Sequence, residues 1–398
     1  MKVSIVVGGR WHAIDLAREL HQAGVLHRVI TNYPKFKTRA WGVPDHKVVS
    51  LPLTLILNRA IPKLGGEPML RKFLPDIYNL FARAAVRYLE GSTLVHGWSG
   101  MSEPALHWAK RHQIPFVLER SSAHIAVQAE ILDREYKDLN ALNYELDPQL
   151  IARELREYQL ADRIAVPSLF AQRTFLQQGF KPERLIHNPL GTSLTTFSPG
   201  KKQDKVFRVV YAGSLGVRKG IHYLVRAFMA ADLPDSELIL LGKTTPETPK
   251  LLEGADGRVK CLGHVPEVKL AEYYRNSSVF VMPSLEDGFG MVLAQAIACG
   301  IPIISTTHTG AEDLLTMDGS KSQAMQDNIQ EYPAGYIVPP HNIQAIAVLL
   351  KKLAENPELL QSKQQAALNF NPDALNWSAY AQRAIAGYRE LLATKVAA

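Results

Sequence analysis

The sequence predicts an α/β protein of two Rossmann-like domains, each a parallel sheet covered by helices. Three observations carry this. The chain has 398 residues, too many for one ordinary core when domains run to roughly 150 residues each. Twelve short Val- and Ile-rich runs alternate with amphipathic stretches. A linker-like segment divides those runs six and six.

The first series of runs lies at 3–9 (VSIVVGG), 27–32, 92–98, 115–121, 162–168 and 184–189. The second lies at 207–215, 237–242, 259–263, 279–284, 301–307 and 335–340. They are apolar continuously rather than alternately, so both faces of each strand are buried, as in a parallel sheet between helix layers. Helical spacing appears between them at 13–23, 105–111, 154–160, 220–229 and 292–298. Repeated strand–helix alternation predicts doubly wound domains. Gly191, Pro199, Gly200 and the polar KKQDK run give 190–206 the chemistry of a linker. The first domain is placed at 1–195 and the second at 200–376. A last helix at 377–392 carries Trp377, Tyr380, Ala384 and Tyr388 at helical spacing. It either packs on its own domain or crosses back to the first. Residues 33–75, broken by prolines at 34, 44, 52, 62 and 68, show poor strand or helix pattern. They are expected to be a long insertion.

Hydrophobic residues make up 46% and charged residues 21%, which excludes disordered and fibrous classes. The 45 Lys+Arg against 38 Asp+Glu give +7. The excess sits in one half. Through residue 190 there are 25 basic and 18 acidic side chains, and from 191 onward 20 and 20. There are no runs of like charge, so nucleic acid is not an expected partner. The apolar run of the first strand stops after Val7, too short for a signal-peptide core. No stretch approaches the ~18 apolar residues of a membrane span. Cys261 and Cys299, the two cysteines, sit in apolar contexts. They are expected to be buried free thiols in a reducing, cytoplasmic setting.

Two segments carry chemistry. GSLGVRKG at 213–220 follows a strand and opens a helix. Its glycines let the backbone approach a ligand. A helix N-terminus beside Arg218 and Lys219 suits phosphate. It is neither a Walker A loop nor a GxGxxG, and by itself it reads equally as a basic helix start on the surface. PSLEDGFGMVLAQAIACG at 283–300 runs from a strand through an acidic, Gly-rich turn into a helix. Glu286 and Asp287 would lie at the crevice beyond the strand ends, where open α/β sheets bind ligands. Carboxylates beside the exposed amides of Gly288 and Gly290 suit a polyhydroxyl ligand. Helix-start charge would explain one acid but not the glycines. Gln295, eight residues past Asp287, falls on roughly the same helix face.

Taken together, these segments resemble the retaining, GT-B type glycosyltransferases of family 4. GSLGVRKG resembles that family's phosphate loop. EDGFGMVLAQAIACGIPIISTTHTGAEDL resembles its E-x7-E donor region and the segments after it. GGRWHAIDLAREL resembles its first Gly loop, and ADRIAVPSLFAQRTF and HNPLGTSLTTFSP its interdomain region. The resemblance spans the chain except 33–75. It implies two domains facing across a cleft, with the last helix (377–398) completing the first domain. It implies a nucleotide-sugar donor on the second domain and an acceptor on the first. Arg218 and Lys219 would bind the donor diphosphate, and Gly213 and Ser214 would line the loop. Asp287 would hold sugar hydroxyls, with Glu286 able to substitute in part. The amides of Gly288, Phe289, Gly290 and Met291 would approach sugar and phosphate. Gln295 would contact the ribose, Glu312 would shape the donor pocket, and Gly9 would face the donor from the first Gly loop.

Two departures stand out. The usual Glu pair of E-x7-E is Asp287 and Gln295 here, which puts donor affinity or donor choice in question. Where relatives carry a His after the fourth strand, this chain has LERSSAH, so Glu119 or Arg120 takes the place and His124 follows. Glu119 and His124 are candidate catalytic groups with Arg218, Lys219 and Asp287. His12, His96 and Arg120 are candidates on the acceptor side. For each His, a satisfied structural hydrogen bond is the competing explanation.

The implied reaction is metal-independent transfer of a sugar, as by a hexosyltransferase, from a UDP- or GDP-sugar to a hydroxyl of a glycan, glycolipid or lipid-linked intermediate. No cofactor or metal is expected, since Arg218, Lys219 and the helix N-terminus supply the charge and there is no Asp-x-Asp. An epimerase or hydrolase of nucleotide sugars, or a non-catalytic nucleotide-sugar-binding protein, are the alternatives. The basic first half points to an anionic acceptor, or to an anionic membrane surface at the inner face presenting a lipid-linked one.

Overall fold

The computed structural model describes residues 1–140, 146–193 and 195–397. Its strands are β1 Val3–Val7, β2 Leu26–Thr31, β3 Val48–Ser50, β4 Leu94–Trp98, β5 Phe116–Glu119, β6 Arg163–Val166 and β7 Leu185–His187 in the first half. In the second half they are β8 Phe207–Ala212, β9 Ser236–Leu241, β10 Val259–Gly263, β11 Val279–Met282, β12 Ile303–Thr306, β13 Gln323–Ala324, β14 Gln330–Tyr332 and β15 Gly335–Val338. The helices are α1 Ala13–Gln22, α2 Lys35–Ala40, α3 Leu53–Val86, α4 Glu103–Arg111, α5 Ile125–Asp138, α6 Pro148–Leu160 and α7 Leu169–Gln177. They continue as α8 Ile221–Ala231, α9 Thr248–Leu251, α10 Glu267–Arg275, α11 Met291–Ala298, α12 Ala311–Leu315, α13 Ile343–Glu355, α14 Pro357–Leu368 and α15 Trp377–Ala397.

Among the described residues, the first sheet is parallel throughout, in the order β3-β2-β1-β4-β5-β6-β7. The second runs β10-β9-β8-β11-β12-β15-β14-β13, parallel except for the antiparallel β13–β14–β15 edge. Each sheet reverses its winding at its first strand, between β1 and β4 and between β8 and β11. Those switch points are where loops beyond the strand ends part and leave a crevice. All five residues of β1 and all four of β11 are buried, as continuous apolar runs require. Helix starts follow local capping chemistry. Asp147 and Asn356 each cap a helix whose first residue is a proline, Pro148 and Pro357, so the missing proline N–H is one that would go unpaired anyway.

The two Rossmann-like domains and the twelve strands agree with the sequence. Three expectations need correction. Residues 33–75 are not an unpatterned insertion: they contain α2, the edge strand β3 and the first part of α3. A three-residue strand is too short to show a period. The 34-residue α3 hides its own period because it breaks at Gly65 (φ −144°) and Gly66 (φ 70°), three residues after Pro62. The side chain of Arg71, one of the basic residues of this segment, lies outside the described ones, as does Leu194 in the interdomain stretch. The second correction is the strand count, since β3 and the polar hairpin β13–β14 extend the two series. The third concerns the cysteines. Both are free, but only Cys299 is buried. Cys261 is exposed because β10 is an edge strand whose middle residues face solvent.

Helix α15 crosses back to the first domain. It packs along α1, and Gly387 lies against Ile186 where a Cβ would meet that side chain at 3.0 Å. Arg383 donates to Asn188 Oδ1 (3.0 Å) and to the Pro189 carbonyl (2.7 Å). At the end of the first sheet, α15 also meets a buried carboxylate. Glu119, 1% exposed, accepts from His12 Nε2 (3.0 Å), His96 Nε2 (3.1 Å) and the Tyr380 hydroxyl (3.4 Å). With Nε2 of His96 donating, its Nδ1 accepts from Tyr388. Burial pushes the Glu119 carboxyl up, but the hydrogen bonds from His12 and His96 hold it down at about 2.

The ordinary value for that carboxyl is 4.5. The native state therefore binds its proton less tightly than the unfolded chain. The stabilisation is complete above about 4.5 and is lost as pH falls through about 2. Glu119→Gln is expected to cost about 2 kcal/mol at pH 7, since hydrogen bonds to a charged group are worth roughly 1.5–3 kcal/mol. Urea denaturation at pH 7 and pH 3 should show the difference from the parent shrinking on the acid side.

Candidate active site

The loop after β8 is shaped by backbone constraints. Gly213 has φ 148°, and the Tyr211 hydroxyl donates to the Ser214 carbonyl at 3.0 Å. Val217–Lys219 make one 3-10 turn, and Gly220 (φ 67°) starts α8. A Cβ on Gly220 would come within 2.1 Å of the Pro283 carbonyl oxygen. The 213–220 loop therefore lies directly against the acidic segment after β11, and Leu285 N–H donates to the Arg218 carbonyl at 3.0 Å.

Two acid–base pairs follow from that contact. Glu286, with no exposed surface, accepts from the Arg218 guanidinium at 2.8 Å. Asp287 accepts from the Lys219 ammonium and, through Oδ1, from Phe289 N–H at 3.1 Å. Burial opposes ionisation of both acids. The charges of Arg218 beside Glu286, and of Lys219 and Arg218 beside Asp287, nevertheless hold both carboxyls below their usual range. Burial pulls the Lys219 ammonium pKa down, against the field of Asp287. Gly290 (φ 80°) then opens α11. Gln295 is half-buried on that helix, and its side-chain carbonyl has no partner.

Glu286 also reaches the first domain. It accepts from Ser122 Oγ, from Ala123 N–H (3.1 Å) and from Gln128 Nε2 (2.9 Å). Gly288 comes so close to the same segment that a Cβ would stand 1.9 Å from the Ser121 carbonyl oxygen. At the far end of α5 the arrangement reverses. Glu135 of the first domain is buried against the second and accepts from His222 Nε2 (2.7 Å), Tyr223 OH (2.8 Å) and His341 Nε2 (3.0 Å). Burial raises the Glu135 carboxyl pKa, but bonds from His222, His341 and Tyr223 bring it down to about 2. Between these carboxylates, Ile131, Tyr136 and Leu139 pack on Val217, Leu251 and Leu285, behind the loop.

The domains enclose a cavity of about 330 Å³. Arg218, Asp287 and Gly288 line it from the second domain, facing Trp11, Trp98, Arg120 and Ser122 from the first. Arg120 is 9% exposed and fully engaged. It donates to the Ala123 carbonyl (2.9 Å), to Glu154 (3.2 Å) and to Gln128 Oε1 (2.5 Å).

Several sequence-derived candidates lie elsewhere. Glu119, His12 and His96 come together beneath Trp98, whose ring stacks on His96 at 4.9 Å, and they do not line the cavity. Glu119 has its oxygens committed to two His and a Tyr. His124 is a core side chain. Its Nδ1 accepts from Ala126 N–H at the start of α5, and its ring packs among Tyr158, Phe175 and Phe180. Burial, with Arg120 nearby, lowers its pKa to about 4. Glu312 pairs with Arg173 of α7 at 2.7 Å across the domains and does not line this cavity. Ser214 is exposed, and Met291 is 40% exposed. Phe289 is buried, and its N–H is already bound to Asp287. Gly9 sits under Trp11, whose Nε1 is 2.3 Å from where a Cβ would be. Sequence reasoning missed Trp11, Trp98, Ser122, Gln128 and Glu135. A signal for Trp98 existed, since it ends β4, the strand beside the switch point. Among the described residues, no group of three or more His, Cys, Asp or Glu is arranged to hold a metal ion. No helix among them is long and apolar enough to cross a membrane.

The Gly288 contact is testable. Gly288→Ala forces the Ser121 backbone away, so the domains should part. Small-angle scattering should give a larger radius of gyration, with a lower melting temperature.

Comparison with known proteins agrees with this geometry. A family described as Glycosyl transferases group 1 matches residues 195–370. A D-inositol 3-phosphate glycosyltransferase of Pseudarthrobacter chlorophenolicus is 31% identical over 327 residues, covering 74% of this chain and 73% of that protein. One of Kribbella flavida is 25% identical over 418 residues, covering 97% and 91%. Among solved structures, Anabaena Alr3699/HepE in complex with UDP matches with a TM-score of 0.67 at 14% identity, over 98% of this chain and all of that one. That likeness speaks to the fold, the two facing domains of GT-B glycosyltransferases. With a relative above 30% identity over most of both chains, and a family match over the stretch that holds Arg218, Lys219 and Asp287, this chain belongs to the group 1 glycosyltransferases.

Proposed function

We propose that this glycosyltransferase moves a sugar from a UDP- or GDP-linked donor, held on the second domain, to an acceptor hydroxyl presented by the first, with retention of anomeric configuration. One observation carries the reading. Arg218 and Asp287 line one interdomain cavity, with Lys219 paired to Asp287 behind them, opposite a wall of first-domain side chains. UDP in the Anabaena structure supports a nucleotide donor, and the names of the sequence relatives support transfer to a hydroxyl.

In this reading the donor diphosphate lies on Arg218 and Lys219. Arg offers a fork of donors and Lys a point charge. Glu286 and Asp287 hold both cations in place before the donor arrives, so little reorganisation is needed as charge develops on the leaving group. Asp287 and the Gly288 backbone face the sugar hydroxyls, and Gln295, whose buried side-chain carbonyl has no protein partner, would turn to the ribose. The acceptor oxygen bonds to the anomeric carbon from the face that the diphosphate leaves, the bond to the diphosphate oxygen breaks, and the hydroxyl proton passes to that departing oxygen. Positioning and leaving-group stabilisation carry the rate, and the scheme uses no metal.

Mixing the protein with UDP- and GDP-sugars separates the readings. Nucleotide release that rises with acceptor supports transfer, release alone a hydrolase or epimerase, and binding without turnover a non-catalytic protein. Lys219→Ala should cost at least about 100-fold in turnover, the scale of losing one transition-state donor. Since Lys219 also neutralises buried Asp287, the variant Lys219→Met/Asp287→Asn should stay folded and equally inactive. Retained activity in either overturns the loop's assignment.

The basic excess fits a surface better than the cavity, where Arg120 and Arg218 already face carboxylates. On α2 and the first part of α3, Phe36, Leu53, Ile56 and Leu64 are 55–80% exposed. They are interspersed with exposed Lys35, Lys37, Arg39, Arg59 and Lys63. This combination suits an anionic membrane surface at which a lipid-linked acceptor is presented. The protein should co-sediment with phosphatidylglycerol-containing vesicles, less so at high salt, and not with pure phosphatidylcholine. Equal behaviour with both returns the charge to ordinary surface.

A further inference from the structure

The cavity between the domains is built asymmetrically. Its second-domain wall carries Arg218 and Asp287, whereas its first-domain wall sets Trp11, Tyr78 and Trp98 around the mutually paired Arg120 and Glu154. Two of these rings are in states that the protein alone does not explain.

Trp98 is 3% exposed, and its indole N–H has no hydrogen-bond partner. A buried donor left unpaired costs about 1–3 kcal/mol, and such groups are rare in native structures. The ring cannot simply turn to find a partner. It stacks on His96 at 4.9 Å with 25° between planes, and His12 packs on it at 5.3 Å. Both imidazoles are tied to Glu119. The buried network thus fixes the orientation of a ring that lines the cavity and carries an unsatisfied donor.

Trp11 is unusual in the opposite way. Its backbone is in the left-handed region, φ 38°, which is unfavourable for a bulky side chain by about 1–3 kcal/mol. Its ring is nonetheless 55% exposed. It reaches this position only because Gly9 has no Cβ: one would stand 2.3 Å from the indole nitrogen. The strain is not offset by burial of the ring, so a flat apolar surface is held open at the cavity.

The charges restrict what enters. Every guanidinium nitrogen of Arg120 has a protein acceptor, and Arg218 is bound to Glu286. The first-domain wall therefore carries aromatic faces, serine hydroxyls and the buried, unpartnered Trp98 N–H, with Arg120 and Glu154 paired to each other and no uncommitted cation for a phosphate. At about 330 Å³ the cavity is at the small end of ligand pockets.

We propose that this wall is the acceptor subsite for a neutral sugar ring, which stacks on Trp11 and accepts a hydrogen bond from the Trp98 indole N–H through one of its oxygens. The proposal rests on the transferase reading above and narrows its acceptor. It also separates this chain from relatives named for a phosphorylated inositol. The aliphatic C–H face of a pyranose matches an aromatic face, whose surface is the negative pole of its quadrupole. Glu119, His12 and His96 act on the acceptor through Trp98, as positioning residues.

Binding and turnover test it separately. Methyl glucopyranoside, galactopyranoside and mannopyranoside are titrated into the full chain, with and without UDP or GDP, while tryptophan emission is followed. At least one should change the emission, and Trp11→Ala should abolish the change. Trp98→Phe keeps the ring but removes the donor, and should weaken that sugar's binding about 3- to 10-fold, the range for one hydrogen bond. In turnover its acceptor KM should rise by the same factor while its donor KM holds. No response to any pyranoside, unchanged affinity in both variants, or preference for D-inositol 3-phosphate over every pyranoside would overturn the subsite. Sugar binding that depends on Trp11 without any nucleotide-sugar turnover would uphold the subsite and sink the transferase reading.

Discussion

Glu286 is a carboxylate with no solvent exposure, and its partners come from both domains. An isolated ion in that position would be severely penalised, so it persists only because Arg218, Ser122, Ala123 and Gln128 surround it. The site depends on this constraint. It holds the Arg218 side chain of the 213–220 loop, fixes the start of α5 against the second domain, and brings the Gly288 backbone onto Ser121. Glu135 repeats the device in reverse at the other end of α5. One helix is thus fastened twice across the cleft, with an apolar patch between the fastenings packed behind the loop.

A second buried carboxylate organises the first domain. Glu119 draws His12 from the first turn, His96 from β4 and Tyr380 from α15 to a single point. The chain's last helix is thereby joined to the ends of the strands that carry the cavity wall. The fold and the site are coupled here, because the groups that lock α15 in place also orient Trp98. Three buried acids, each satisfied by neutral or cationic donors, set the geometry on both sides of the cleft.

The strands were legible because a strand buried on both faces must be apolar at every position, and twelve such runs stand out from any neighbour. The loops at 213–220 and 283–290 were legible for a similar reason. Gly220 and Gly290 need left-handed backbone, Gly220 also sits too close to Pro283 for any side chain, and cations and acids beside such turns have few other uses. The first-domain wall was not legible. Glu119 and His124 lie in a promising sequence position, yet one faces a buried network and the other an aromatic core. Trp11 and Trp98 carry no charge and match no motif, although they line the cavity. Helix α3 escaped notice because Pro62 and the Gly65–Gly66 break interrupt its period.

By itself, then, the sequence determined two doubly wound domains and the glycine-rich loops that carry Arg218, Lys219 and Asp287. All of these follow from local periodicity and from glycines whose backbone positions allow no other residue. It also determined the family, through segments spread in order along the chain. Only the tertiary structure decided which acids join the domains and which histidines are structural. It alone showed that Arg120 is spent on Glu154, and that two tryptophans face the second domain's charges. Those outcomes depend on partners tens to hundreds of residues apart, and a residue's partner at that distance is set by how sheets and helices close around it.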